Sequence, residues 1–293
     1  MAENFVIIGG SGYIGRELSH FIKLNNPDKD LVSLGSKDLD LTDEDSGEFL
    51  DKILNEKTIL FICAGIKKQL GDSKNIFKTN ISMVQNILRS NKVLNCRKTV
   101  FLSSAEVYGE NIDDLNISES TICSPSSYYG LAKKHSEELL QITYQKASKS
   151  NLVLARMPLV YGPRETQNIY GPSGFLQNAI NNQIQTLWGD GSEKRNFLFI
   201  EDLINILYHI GLSNFNGVIN VANSESNTFR DIINELNSQK IKILLDEKPR
   251  SKLKVDQGYD ISLLHSIYPN HKSYSLKDGI EKMLATQKEK VQL

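Results

Sequence analysis

The sequence predicts an α/β fold: a parallel sheet with helices packed on both faces. Five short apolar runs without polar alternation recur through the first half of the chain. Four stretches with apolar residues at helical spacing separate them. Strands buried on both faces and joined through helices imply parallel pairing, because parallel neighbours need a crossover and the crossover helices cover the sheet.

The first strand is Phe5–Gly9, four β-prone residues closed by glycine, and a helix follows over Ile14–Leu24. Leu31–Leu34 is the second strand, followed by a helix over Asp43–Leu54. Thr58–Cys63 (TILFIC) and Thr99–Ser103 (TVFLS) flank the helix Ile76–Arg89, and the helix Tyr128–Tyr144 leads into the strand Leu152–Arg156. After Tyr161 the pattern loosens. Pro163, Gly171, Pro172 and Gly174 mark an irregular segment, Gly189-Asp190-Gly191 a tight turn, Val218–Val221 a strand and Phe229–Leu236 a helix. The tail after Met283 reads as frayed. We expect a cofactor-sized α/β domain over 1–160, with 196–225 returning to it. A smaller C-terminal α/β lobe, over 161–195 and 226–293, then lies above the edge where the strands end, the ligand edge of such sheets.

Composition narrows the function. The 293 residues suit one large domain or two joined lobes, and 40% hydrophobic content fills a core. With 34 basic and 35 acidic residues the net charge is −1, which excludes broad attraction to nucleic acid or to an anionic membrane. Met1–Gly15 shows no signal-peptide pattern, and no apolar run approaches the ~20 residues of a bilayer span. Cys63, Cys96 and Cys123 form no CxxC pair, which fits free thiols and a cytoplasmic location. His20, His135, His209, His265 and His271 do not cluster, so no metal site is expected.

Gly9-Gly10-Ser11-Gly12-Tyr13-Ile14-Gly15 follows the first strand and opens the first helix. Glycines there let the chain turn sharply and let a pyrophosphate approach the main chain, and the helix N-terminus offers unpaired N–H groups to that anion. The run fits GxGxxG from Gly10 and GxxGxxG from Gly9, so the register stays open. In this context it predicts dinucleotide binding on a Rossmann-type, doubly wound sheet. Sheets of this kind that hold NAD place an acid about 20 residues on, against the ribose hydroxyls. Here Leu34-Gly35-Ser36-Lys37 precedes any acid, and Asp38 is the first. Serine and lysine suit a 2′-phosphate, so NADP(H) is favoured over NAD(H).

Ser103-Ser104-Ala105-Glu106-Val107-Tyr108-Gly109 closes the TVFLS strand, and Tyr128-Tyr129-Gly130-Leu131-Ala132-Lys133 follows. Tyr129 and Lys133 share one helical face. A tyrosine acts as acid or base near neutral pH if a neighbouring ammonium lowers its pKa of about 10. With 11 tyrosines, YxxxK alone says little, and a second match at Tyr268 and Lys272 contains Pro269. The glycine turn and the serine pair at a strand end set Tyr129 apart.

These blocks, together with PSSYYGLAKKHSEE, RMPLVYGPRE, GDGSEKRNFLFIEDL and GVINVANSESNTFRDII, resemble the extended short-chain dehydrogenase/reductase family over nearly the whole chain. That family comprises nucleotide-sugar epimerases, dehydratases and 4-keto reductases. The resemblance implies that Ser104, Tyr129 and Lys133 are catalytic. It places Asp40 and Leu41 at the adenine, Ala64 and Gly65 along the cofactor, Asn80 as a supporting polar residue and Pro158 near the nicotinamide. It places Arg195 on the substrate's diphosphate, with Arg250 a second phosphate ligand, and implies a homodimer.

The reaction is left between three members. Family dehydratases often carry Asp-Glu after the serine, whereas this chain has Ala105-Glu106, which keeps a role for Glu106 open. The quick passage from the second strand into Asp38-Leu39-Asp40-Leu41-Thr42-Asp43 is similar to compact 4-keto-sugar reductases, and NADPH suits a reductant-consuming enzyme. Leu159 stands where asparagine often contacts the substrate. The reading therefore leans to reduction of a nucleotide-linked 4-keto sugar, with NAD-dependent 4-epimerisation or 4,6-dehydration as alternatives. A cofactor-sensing regulator is the alternative from another class, and intact Ser104, Tyr129 and Lys133 argue against it.

Overall fold

In the computed structural model, which describes residues 3–165 and 170–291, the apolar runs form one sheet. The chain enters through β1 (Asn4–Ile8) and α1 (Tyr13–Asn25), crosses to β2 (Leu31–Leu34) and α2 (Ser46–Ile53), then passes back beside β1 as β3 (Thr58–Ile62). It continues through α3 (Lys74–Ile87), β4 (Lys98–Leu102), the outlying β5 (Asp114–Ile117), α4 (Tyr128–Lys146) and β6 (Leu152–Arg156). The second half runs β7 (Leu159–Tyr161), α5 (Gly171–Ile180), β8 (Ile184–Trp188), β9 (Lys194–Arg195), β10 (Phe197–Phe199), α6 (Ile200–Leu212) and β11 (Gly217–Asn220). It ends with β12 (Asn227–Thr228), α7 (Phe229–Ser238), β13 (Leu244–Lys248), β14 (Gln257–Tyr259), α8 (Ser262–Ile267) and α9 (Leu276–Val291).

The sheet order is β2-β1-β3-β4-β6-β11, with every pair parallel. Strand periodicity explains the two cores. Phe5, Ile7, Ile59, Phe61, Val100 and Val153 pack with Leu18 and Ile22 of α1 and with α6. Their neighbours Val6, Ile8, Leu60, Ile62, Phe101 and Leu154 face the opposite way, onto Leu50, Val84, Ile87 and Leu140 of α2, α3 and α4. The winding reverses between β1 and β3, since β2 lies on the other side of β1, and that reversal opens a crevice at the carboxyl ends of these strands.

Two expectations need correcting. The segment after Tyr161 is more regular than its prolines and glycines imply: Gly171–Ile180 is helical, with Pro172 in the first turn, where its missing N–H costs nothing. The tail is helical rather than frayed, through Val291. Ser275 and Asp278 exchange hydrogen bonds across its first turn, and Ile280 and Met283 are buried in the core, so a cap and an apolar face both hold it. Among the described residues, no helix is long and apolar enough to cross a membrane.

Candidate active site

The glycine turn is tied to its neighbours on both sides. Gly9 and Gly10 each donate an N–H to Leu34 O at 2.8 Å. Gly9 has φ +90, and a Cβ there would lie 2.6 Å from Ala64 N on the adjacent strand's exit. A Cβ on Gly15 would lie 2.3 Å from Gly9 O, so only glycine lets α1 start this close to β1. No acidic residue occupies the first turn of α1 and no side chain caps it. The N–H groups of Tyr13, Ile14 and Gly15 therefore face the crevice mouth without intrahelical acceptors, a ready anion site. The Tyr13 side chain turns inward and donates to Pro163 O at 3.0 Å, which leaves its main chain for a ligand.

At the exit of β2, Ser36 and Lys37 are exposed. Asp38, the first acid, accepts the Gly35 N–H at 2.8 Å, so its carboxylate is engaged within the loop. Asp40 is exposed and accepts the N–H and the hydroxyl of Thr42 at 2.8 and 2.7 Å, which hold its carboxyl below the usual range. Leu41 is core, and its carbonyl accepts from Asn86 at 3.0 Å. Ala64 and Gly65 leave β3 beside the glycine turn. Asn80 is buried and grips Ile66 by both main-chain groups, at 2.7 and 3.1 Å, fixing that exit. Pro158 is half-buried between β6 and β7.

Ser104 follows β4 and caps a short turn, its Oγ accepting the Glu106 N–H at 3.2 Å. Ser127 caps α4 by accepting from Gly130 at 3.1 Å, and Asp72 receives the Tyr129 N–H at 2.9 Å, so the start of that helix is pinned twice. Lys133, one turn on, donates to Leu102 O at 2.6 Å and sits 4.7 Å from the Phe101 ring and 6.0 Å from the Tyr129 ring. Burial pushes the Tyr129 phenol up to about 12; a hydrogen bond with Ser104 opposes this and Glu106 reinforces it. Burial likewise lowers Lys133 to about 8, against the pull of Cys63 and Glu137. The expected lowering of the phenol by Lys133 is thus absent. Desolvation outweighs the bond to Ser104 and favours the protonated phenol. Glu106 pairs with Lys68 at 3.4 Å, and Lys68 also holds Glu110.

Arg195 and Arg250, 55 residues apart in sequence, converge on one carboxylate, that of Glu193. Arg195 also donates to Lys194 O at 3.0 Å and to Val255 O. Val255 leads into β14, which pairs with β5, and Gln257 there donates to Gly109 O at 3.2 Å. Tyr259 lies 6.3 Å from the ring of Tyr108, four residues beyond Ser104. Glu106 and Arg195 both perturb the phenols of Tyr259 and Tyr170, so the arginine pair and the serine–tyrosine cluster share one neighbourhood.

Sequence reasoning missed Glu193, Tyr170, Tyr259 and Lys68. It also missed a buried network under the cluster. Ser103 donates to Glu137 at 2.5 Å, and Arg156 binds Glu137 at 3.0 and 2.7 Å. A signal existed: Glu137 lies four residues after Lys133, on the helix's buried face. The second YxxxK does not lie on a helix, because α8 ends at Ile267, and the Tyr268 ring packs 4.1 Å from that of His209. Leu159 packs against Gly171 instead of offering a polar contact.

A parallel sheet with a glycine-lined anion site at its reversal, and a serine, tyrosine and lysine beside it, defines a dinucleotide-dependent class of protein. Residues 5–222 match the NAD dependent epimerase/dehydratase family, and the chain belongs to it. The extended short-chain dehydrogenase/reductase resemblance is borne out. The chain is 25% identical over 236 residues to a dTDP-D-glucose 4,6-dehydratase of Dictyostelium discoideum, covering 69% of this chain and 54% of that protein. It is 26% identical over 265 residues to an Arabidopsis thaliana trifunctional UDP-glucose 4,6-dehydratase/UDP-4-keto-6-deoxy-D-glucose 3,5-epimerase/UDP-4-keto-L-rhamnose-reductase, covering 78% and 40%. The chain thus spans about half or less of the length of these two relatives. The fold matches that of the Thermotoga maritima UDP-glucose 4-epimerase with UDP-glucose, with TM-score 0.82, 20% identity, and 98% and 99% of the two chains covered. It also matches the Bacillus anthracis dTDP-glucose 4,6-dehydratase in complex with NAD, with TM-score 0.81, 18% identity, and 99% and 98% covered.

Proposed function

We propose that the protein reduces a nucleotide-linked 4-keto sugar with NADPH. The observation that carries this reading is the placement of the groups: Tyr129 and Lys133 one turn apart on α4, Ser104 just past β4, and a two-arginine cluster in the same neighbourhood. Burial raises the Tyr129 phenol and so favours its protonated form, the form that donates a proton to the nascent C4 alkoxide in a reduction.

The residues present fit the dinucleotide. The N–H groups of Tyr13, Ile14 and Gly15 hold its pyrophosphate, in a turn where Gly9 packs against Ala64 and Gly12 keeps the main chain open to approach. Ser36 and Lys37 take a 2′-phosphate, since Asp38 is spent on Gly35. Asp40 and Leu41 border the adenine, Ala64, Gly65 and Asn80 line the middle, and Pro158 stands by the nicotinamide. Lys133 holds the adjoining ribose. Bound there, NADPH supplies hydride. Ser104 orients the sugar's C4 oxygen, and Tyr129 gives it the phenolic proton. Arg195 and Arg250 grip the diphosphate, a task suited to planar guanidinium groups.

One observation favours a second reading. Glu106, paired with Lys68, lies next to Tyr129, and a carboxylate there is placed to act as the base of a 4,6-dehydration. Denaturing the purified protein and weighing what it releases separates the two. Reduction predicts an empty site that binds NADPH more tightly than NADH in titration. Released NAD supports dehydration or 4-epimerisation and rejects reduction.

A further inference from the structure

The arginine cluster carries an anion of its own. Arg195 binds one carboxylate oxygen of Glu193 and Arg250 binds the other, so Glu193 spans both guanidinium groups. The main chain around Glu193 is fixed. Asp256 accepts the Lys194 N–H at 2.9 Å, Asp190 accepts the Ser192 N–H at 3.0 Å, and Lys194 and Arg195 pair with Thr228 and Asn227. The side chain is not sealed in: Glu193 and Arg195 are each 19% exposed and Arg250 21%. Rotation of one side chain therefore frees both arginines.

Neither arginine depends on Glu193 alone for its place. Arg195 keeps its bonds to Lys194 O and Val255 O, and Arg250 keeps Asp190 at 3.6 Å. Arg250 Nη2 is buried and makes no hydrogen bond among the described residues; its ion-pair partner is Asp190. The two guanidinium groups face Glu193 and, at Arg250, the exposed Asp190, and a ligand that brings more charge and more oxygens than one carboxylate competes for the place Glu193 holds between them.

We propose that Glu193 is an internal competitor for the diphosphate site: it closes the arginine pair when no ligand is bound and is displaced when a diphosphate engages both guanidinium groups. This rests on the reading of Arg195 and Arg250 as the diphosphate ligands. A ligand that touches one arginine leaves Glu193 on the other, with its negative charge beside the newcomer. A diphosphate reaches both and releases the carboxylate to solvent. Glu193 thereby lowers affinity for every anion at this site and speeds the release of diphosphate-bearing product.

The test is calorimetric titration of inorganic pyrophosphate into the protein held in saturating NADPH, which fills the glycine-turn site. Glu193→Gln removes the charge and keeps the shape, and Glu193→Ala removes both. Each is expected to bind pyrophosphate at least tenfold more tightly than wild type, while Arg195→Ala binds it more weakly. Unchanged or weaker binding by both Glu193 variants, with Arg195→Ala still weakened, overturns the competitor role and makes Glu193 a residue that orients the arginines. Unchanged binding in Arg195→Ala overturns the diphosphate reading beneath it.

Discussion

The glycine-turn site and the arginine pair both present donors to phosphate, yet they are built differently. The first is a by-product of secondary structure: a strand ends, a helix begins, and first-turn N–H groups are left over. Its precision comes from main-chain contacts such as Gly15 against Gly9 O, and no charged side chain is needed. The second hangs on strand fragments two and three residues long, on side-chain hydrogen bonds to Lys194 and Val255, and on an ion pair with Asp190. Dipoles fixed by the fold do not adjust to occupancy, whereas guanidinium groups on side chains take an internal carboxylate and can give it up.

Variants can break that comparison. Tyr129→Phe should lose 10²- to 10⁴-fold in kcat, the usual worth of a positioned acid, with cofactor binding retained because the phenol is not part of the anion site. Stopped-flow turnover and NADPH titration check both halves. Arg195→Ala should weaken nucleotide-sugar binding by about 1.5–3 kcal/mol and barely move NADPH, while Arg195→Lys recovers part, since lysine lacks the planar fork. Equal losses for both ligands in calorimetry would make Arg195 a fold residue and erase the division between the two sites.

Lys37→Asp replaces a cation at the β2 exit with a carboxylate and should shift the NADPH-to-NADH affinity ratio towards NADH by about tenfold or more, the scale of one charged hydrogen bond. Fluorescence titration of both cofactors reads it.

Lys133 links the fold to pH. Its value of about 8 lies below the ordinary 10.5, so between those values the unfolded chain binds more protons and stability rises with pH. Lys133→Met lacks this term. The Tm of the variant minus that of wild type should therefore fall as pH rises from about 7 to 10, and a flat difference would place Lys133 in a wetter setting. Tyr268→Phe, outside the site, should leave turnover within twofold of wild type, roughly the noise of a surface change.

The contrast also explains what could be read in advance. Mostly apolar runs gave the strands because burial on both faces leaves few polar positions, such as Thr99 and Arg156, and the glycine turn was visible because local steric demands select glycine. Ser104, Tyr129 and Lys133 stood out because a strand end and one helical turn place them. Glu193 did not, since a glutamate beside a lysine in GDGSEKR looks like any solvated charge until Arg250 folds over from far along the chain. The phenol's rise was likewise hidden: desolvation is set by everything packed around Tyr129, whereas spacing shows only its neighbour Lys133. Proline in the sequence of α5 and charge in the tail of α9 misled for the opposite reason, because a first turn tolerates proline and a capped, half-buried helix tolerates a polar end.

The most direct test follows a labelled hydride. NADPH carrying deuterium at C4 of the nicotinamide, on each face in turn, is incubated with the protein and a nucleotide-linked 4-keto-6-deoxy sugar, and the product is analysed by mass spectrometry and NMR. Reduction predicts one deuterium at sugar C4 per NADPH consumed, from one face only, and loss of that transfer in Tyr129→Phe. A 4-keto sugar recovered without deuterium and with NADPH unconsumed, while the parent nucleotide-hexose offered in a parallel incubation is epimerised or dehydrated with the cofactor recovered in its starting redox state, would contradict it.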